Sequence, residues 1–412
     1  MTEVTLRLTV RDPIVARDGR PFGAGQGNRM RSVDWPLPSV VAGSFRTALV
    51  KADPGLDFAG DMPRRLMQIE VAGVFPAVGD ELYLPAPGDA VAEPTEDGKS
   101  IKLVHRATPQ LNTRGCDFPD DLPLRPVALP DSEGQARAGF KPRPTPQWWP
   151  VGELTDWLLG KDLNFNETFL AAAIPETRDH VCLDADTGTA AEGQLFTTAG
   201  LNLTHLPRFG VKSDDEKLPF DKRFAEIKLS ARAASDDPQF SQLMDRGTWH
   251  PLGGERRLVH WKAGGPVNGW TCPDAVRSGL ASASGIRMVL TTPAIFQHGW
   301  RPGWLDAGTL TGEPFGDGPT LKLVGVSISR WRAVSGWSLA RINSRGELDP
   351  NGKPGPKPIR RMVPAGGVYF FKVLRGEAAD LAGHWLRSVS DGDQERRDGF
   401  GLATWGTWDP HE

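Results

Sequence analysis

Val4, Leu6, Leu8 and Val10 alternate with Thr5, Arg7, Thr9 and Arg11. A period of two predicts a half-buried strand at the head of the chain. After Ser39, a favourable helix N-cap, Val41, Phe45, Ala48 and Leu49 recur at helical spacing, with Arg46 at the edge of that stripe. Residues 67–75 and 81–84 read as two more strands, divided by a turn over 76–80. Strand, helix, strand, strand makes three quarters of a ferredoxin-like unit.

The periodicity fades over residues 85–150, where Pro, Gly and charge dominate; that stretch is expected to be an insertion. Residues 148–159 are apolar and stop at Gly160, a helix C′ residue. Residues 180–184 and 194–203 read as strands around a turn at 186–190, and 211–257 as polar and irregular. Toward the end, strands are expected at 286–292 and 320–334. A hairpin is expected from 359–363 and 368–374 across Pro364-Ala365-Gly366-Gly367. An amphipathic helix follows at 378–389, then a loop over 391–401 and a strand through Trp405. This is a second ferredoxin-like pattern whose first crossover is a loop at 302–318. The predicted fold is α+β, with two ferredoxin-like (RRM-like) domains. The first spans 1–275, with insertions near 85–145 and 205–257, and the second spans 276–412.

Composition sharpens this picture. A length of 412 residues suits two domains, and 47 Gly with 36 Pro imply many turns and long loops. Three scattered cysteines form neither a disulfide framework nor a zinc site, which fits a reducing compartment. The first ten residues lack the apolar core of a secretory leader, and no run approaches 18 apolar residues. The expectation is a cytoplasmic protein with no membrane partner. The formal net charge is −3, so affinity for nucleic acid has to come from local patches. Residues 1–51 carry eight Lys/Arg against four Asp/Glu, and residues 341–372 carry seven against two.

The chemistry concentrates in the same two places. Residues 17–49 join a glycine-rich loop bearing Arg17, Arg20, Arg29 and Arg31 to a proline-bracketed turn (Trp35 to Pro38) and a helix start. Glycine permits close backbone approach, arginine offers a planar fork for phosphate, and a helix start favours anions. The spacing of Gly23, Gly25 and Gly27 does not fit a dinucleotide fingerprint. Near the other end, Arg396 and Arg397 precede Gly399-Phe400-Gly401, a loop able to offer N–H groups to an oligonucleotide backbone or simply to close a sheet. The basic run 353–361 supplies a second jaw. No G-x-S-x-G, H-E-x-x-H, P-loop or paired C-x-x-C is present. Asp184 and Asp186 are a weak metal pair, and His105, His180 and His260 read as structural imidazoles. Neither a metal nor a cofactor is expected.

RDGRPFG (17–23), PLPSVVAGSFRTAL (36–49), PAPGD (85–89), EGQLFTTAGLNL (192–203), TPAIFQHGWRPGWL (292–305), SGWSLA (335–340), KPIRRMVPAGGVYFF (357–371) and GFGLATWG (399–406) occur in this order. Together they resemble the third Cmr subunit of type III-B CRISPR effector complexes, within the RAMP superfamily. The resemblance implies two ferredoxin-like domains and a non-catalytic subunit that holds the 5′ repeat-derived tag of the crRNA. It implies docking beside the large polymerase/cyclase-like Cas subunit and the first repeating backbone RAMP subunit, with indirect contact to target RNA. It also implies a thumb-like hairpin, expected within 85–145. The residues expected to contact RNA are Arg17, Arg20, Arg46, Arg360, Arg361, Gly399 and Gly401. The competing reading is a metal-independent RAMP endoribonuclease that processes repeat RNA.

Overall fold

A computed structural model describes residues 2–17, 28–30, 32–97, 100–110, 124–129, 140–345 and 348–410, with backbone only at Asn28 and Arg29. The protein is sheet-rich, with 42% strand against 15% helix. The opening strand, Thr2–Val10 (β1), buries Leu6, Leu8 and Val10 on one face, as the alternation requires. Helix α1 runs Pro38–Lys51 and packs Val41, Phe45, Ala48 and Leu49 inward. It starts two residues earlier than an N-cap at Ser39 predicts. Leu37 is the N-cap, and Pro38 stands where its missing N–H costs nothing.

The first sheet has seven strands and is antiparallel throughout. β1 lies between Lys228–Ser235 and Leu258–Ala263, and Glu70–Val78 pairs with the far edge of Lys228–Ser235. Residues 211–257, expected to be irregular, therefore supply a central strand and the helix Pro238–Leu243. The strand Glu81–Pro85 sits toward the periphery between Glu70–Val78 and Trp148–Pro150. Helix Val151–Leu158 ends at Gly160, whose φ is +84°.

The second sheet runs in the order Thr311–Gly312, Thr320–Ser327, Val368–Arg375, Gly285–Leu290, Leu402–Thr407, Arg387–Ser388. Val368–Arg375 has both edges occupied, by Gly285–Leu290 and Thr320–Ser327. The predicted hairpin across 364–367 thus does not form. Instead Lys353–Met362 pairs with Arg332–Ile342 as a separate two-stranded hairpin. The expected long strand 320–334 is broken, because its last residues belong to that hairpin. The expected helix at 378–389 is a 3₁₀ segment, Ala378–His384, cut short where Leu386 takes φ +55°.

The two sheets share one buried core. At its centre Arg287 and Asp89 are both fully buried and bonded at 2.6 Å. Trp157 Nε1–H donates to the other oxygen of Asp89 at 3.0 Å. The PAPGD motif therefore anchors the amino-terminal half to the carboxyl-terminal sheet.

A second hairpin, Pro175–Leu183 with Ala190–Leu201, stands out from the body. It exposes Val181, Leu183 and Leu195, and Val181 lies directly opposite Leu195. Its base pairs in parallel with Asn28–Arg29. Of the expected 85–145 insertion, the hairpin Ala90–Pro94 with Ile101–Arg106 is described, whereas 111–123 and 130–139 fall outside the described residues.

Candidate nucleic-acid interface

Arg46 is the hinge of the site, though it is not a surface residue. It is 7% exposed. Its guanidinium donates to Asp398 Oδ1 at 2.5 Å, to the Ile69 carbonyl at 2.6 and 3.1 Å, and to the Arg397 carbonyl at 3.1 Å. Asp398 is 4% exposed and also accepts from Gln394 at 2.8 Å, with Lys357 Nζ at 3.6 Å from its second oxygen. The edge of an apolar stripe thus hides an arginine whose partner lies 352 residues away. One ion network clamps α1, the 332–362 hairpin and the carboxyl-terminal loop together. In this structure the guanidinium of Arg46 is engaged by Asp398 and the carbonyls of Ile69 and Arg397.

The glycine loop is closed in the same way. Gly399 N–H donates to the Arg396 carbonyl at 3.1 Å, Phe400 N–H to Glu395 at 2.9 Å, and Gly401 N–H to Pro293 at 2.7 Å. Gly399 has φ +85° and Gly401 φ +70°. A Cβ on Gly399 would stand 2.4 Å from the Val71 carbonyl oxygen, and one on Gly401 2.4 Å from Ser390 Oγ. Gly399 is demanded by close packing on the first sheet and Gly401 by its approach to Ser390, and each of these three N–H groups is bonded to a backbone carbonyl. The sheet-closing alternative describes them.

Arg17 is exposed and bridges to Ser32, next to Val15, which pairs with Gly254. Arg20 lies outside the described residues, as does Arg31. Arg360 is half-exposed and salt-bridged to Glu395. Arg361 is exposed, and its guanidinium lies 4.8 Å over the Trp331 ring.

Between the start of α1 and the hairpin runs a groove of about 270 Å³, lined by Ser39, Val40, Gly43, Gly253, Trp337 and Lys357. The helix start carries no acidic residue in its first turn and no side-chain cap, so its N–H end is electropositive. Gly253 belongs to the turn that pairs with Val15. Trp337 follows Gly336 in a Gly-Trp pair that reads from sequence as a packing anchor; it is exposed instead, as is Leu339, while the smaller Ser338 and Ala340 are buried.

Other candidates are occupied internally. Asp184 Oδ1 accepts the N–H groups of Asp186 and Thr187, a local turn. His105 bonds Glu93 at 2.5 Å, His180 bonds Thr198 at 2.9 Å and stacks on Phe196, and His260 packs against Trp249. Among the described residues no three His, Cys, Asp or Glu side chains are grouped to hold a metal, and no helix is long and apolar enough to cross a membrane.

No curated protein sequence matches this chain. Among solved structures, a chain of the type III-B Cmr-beta complex bound to cognate target RNA aligns over 89% of this chain and 86% of its own, at 13% identity and a TM-score of 0.43. The same complex with target RNA and AMPPnP gives 13% identity and 0.42 over the same shares. The Csm3–Csm4 subcomplex of a type III-A interference complex aligns over 99% of this chain and 100% of its own, at 8% identity and 0.34. The profile of the family described as CRISPR-associated protein (Cas_Cmr3) matches residues 6–408, nearly the whole sequence. The chain belongs to the Cas_Cmr3 family of CRISPR-associated proteins.

Proposed function

We propose that this protein is a non-catalytic, RNA-binding scaffold subunit of a type III-B CRISPR effector, holding the 5′ tag of the guide RNA. The observation that carries the reading is the clamped groove. A capless helix start and a basic hairpin flank one groove, the kind of channel a single-stranded phosphate backbone requires. Membership of the family supports the complex to which the subunit belongs. In each sheet four antiparallel strands follow the order fourth, first, third, second, which supports two ferredoxin-like units.

The contacts assigned to RNA are Arg17, Arg20, Arg360 and Arg361. Arg46, Gly399 and Gly401 shape the channel from beneath. The thumb is assigned to the hairpin Pro175–Leu183 with Ala190–Leu201 rather than to 85–145. Its exposed Val181, Leu183 and Leu195 suit wedging between stacked bases, and its base adjoins the arginine loop. The large polymerase/cyclase-like subunit and the first backbone subunit are the assigned protein neighbours.

The test compares retention of guide RNA with and without its repeat-derived tag, for the wild type and for Arg17→Ala/Arg20→Ala. The expected result is preference for tagged RNA that weakens in the variant and with rising salt. Equal retention of both RNAs would sink the assignment, and defined cleavage products would favour the endoribonuclease.

A further inference from the structure

The hairpin Arg332–Ile342 with Lys353–Met362 has two unlike faces. Val334, Ser338, Ala340 and Ile342 turn inward and are buried. Lys357 turns inward toward Asp398, while half-exposed Arg360 is salt-bridged to Glu395 at the hairpin's edge. The outward face exposes Trp337 (65%), Ile359 (69%) and Leu339 (51%). Arg341 and Arg361 stand on that face with no carboxylate partner among the described residues. Arg361 is already stacked on Trp331, itself 48% exposed.

Keeping two tryptophans and an isoleucine in water is unfavourable, so this face is built to be covered. Its charge says by what. Of the seven Lys/Arg in residues 332–362, Arg332, Lys357 and Arg360 are paired with Asp34, Asp398 and Glu395, which leaves Arg341 and Arg361 as the cations of this face. A basic strip with flat aromatic surfaces matches an anionic polymer that itself carries flat apolar faces. Single-stranded nucleic acid has both properties, whereas a duplex hides its base faces in the stack.

We propose that the outward face of this hairpin is a stacking platform for unpaired nucleotides, with one base on Trp337 and a phosphate further along the same strand on Arg361. The proposal rests on the RNA-binding reading above and specifies the mode of contact: base faces are held by stacking, with no demand on base identity. Trp337 also lines the groove beside Ser39, so a strand leaving the helix start runs directly onto it.

The experiment uses the full chain and one oligoribonucleotide, alone or annealed to its complement, titrated over a range of salt. The wild type is expected to prefer the single strand. Trp337→Ala should weaken single-strand binding about five- to 150-fold, the span of one base stacked on an aromatic ring. Trp337→Phe should retain most of the affinity. The salt dependence should be the same for both, since no phosphate contact is removed, whereas Arg361→Gln should lower its slope by about 0.7. The side chain is mostly in solvent, so the thermal midpoint of Trp337→Ala should not move. Wild-type affinity in Trp337→Ala would overturn the platform while leaving the arginine loop as the RNA site. Loss of a protein subunit from the assembled particle, with RNA affinity unchanged, would overturn it in favour of a protein contact. A wild type that binds no RNA would instead defeat the underlying functional reading.

Discussion

Arg46→Met separates a clamping arginine from a ligand-binding one. The substitution keeps the apolar stem of the side chain and deletes the guanidinium. Asp398, 4% exposed, then keeps only Gln394 at 2.8 Å and Lys357 at 3.6 Å, and the Ile69 carbonyl loses two donors. Removing one partner of a buried pair costs about 3–5 kcal/mol when the other is left uncompensated, and Lys357 beside Asp398 makes that an upper bound here. Asp398→Leu alone strands Arg46 in the same manner. The double variant strands neither, so its loss should be smaller than the sum of the singles, with a coupling energy of about 0.5–3 kcal/mol. Urea unfolding monitored by circular dichroism gives these differences as shifts in midpoint at constant slope. RNA retention by the folded fraction of Arg46→Met at low urea completes the test. Unaltered stability together with weakened RNA binding would refute the reasoning and return Arg46 to the RNA.

Two further outcomes follow from local geometry. Gly399→Ala should destabilise by about 1–3 kcal/mol, because the residue must hold a left-handed φ against the Val71 carbonyl. Gly43→Ala, whose Cβ meets nothing within 4 Å, should stabilise α1 by about 0.5–1 kcal/mol. Burial holds His250 and His384 below the usual imidazole range, with Lys51 adding to the effect at His250 and Arg387 at His384, where Asp317 and Asp380 oppose it. The unfolded chain takes up these protons near pH ~6.5 while the folded chain does not, so stability is present above that pH and is lost as pH falls below it. The thermal midpoint should drop between pH 7.5 and 5.5, and His250→Phe/His384→Phe should flatten the drop; equal profiles would disprove it.

The opening strand and α1 were legible because one face of each meets the core and the other meets something polar. Lys228–Ser235 was not. Its buried residues are Leu229, Ser230, Ala231, Ala233, Ala234 and Ser235, and alanine and serine carry little strand preference. Its opposite face is also covered, with Arg232 over the Trp270 ring and Ser230 bonded to that indole. The 364–367 turn looked like a hairpin because local spacing cannot show that Val368–Arg375 is already flanked on both edges. The site divides in the same way. Arg17 and Arg361 announce themselves as cations in glycine- or proline-rich sequence. The fate of Arg46, by contrast, depends on Asp398, which no local pattern links to it.

The insertion of Lys228–Ser235 between Thr2–Val10 and Glu70–Val78 also constrains biosynthesis. The first 220 residues emerge from the ribosome without the strand that joins these two. At about 5–20 residues per second they wait many seconds with apolar edges uncovered. Premature termination anywhere before residue 235 thus leaves an aggregation-prone fragment, and the nascent chain is a natural client for holding chaperones.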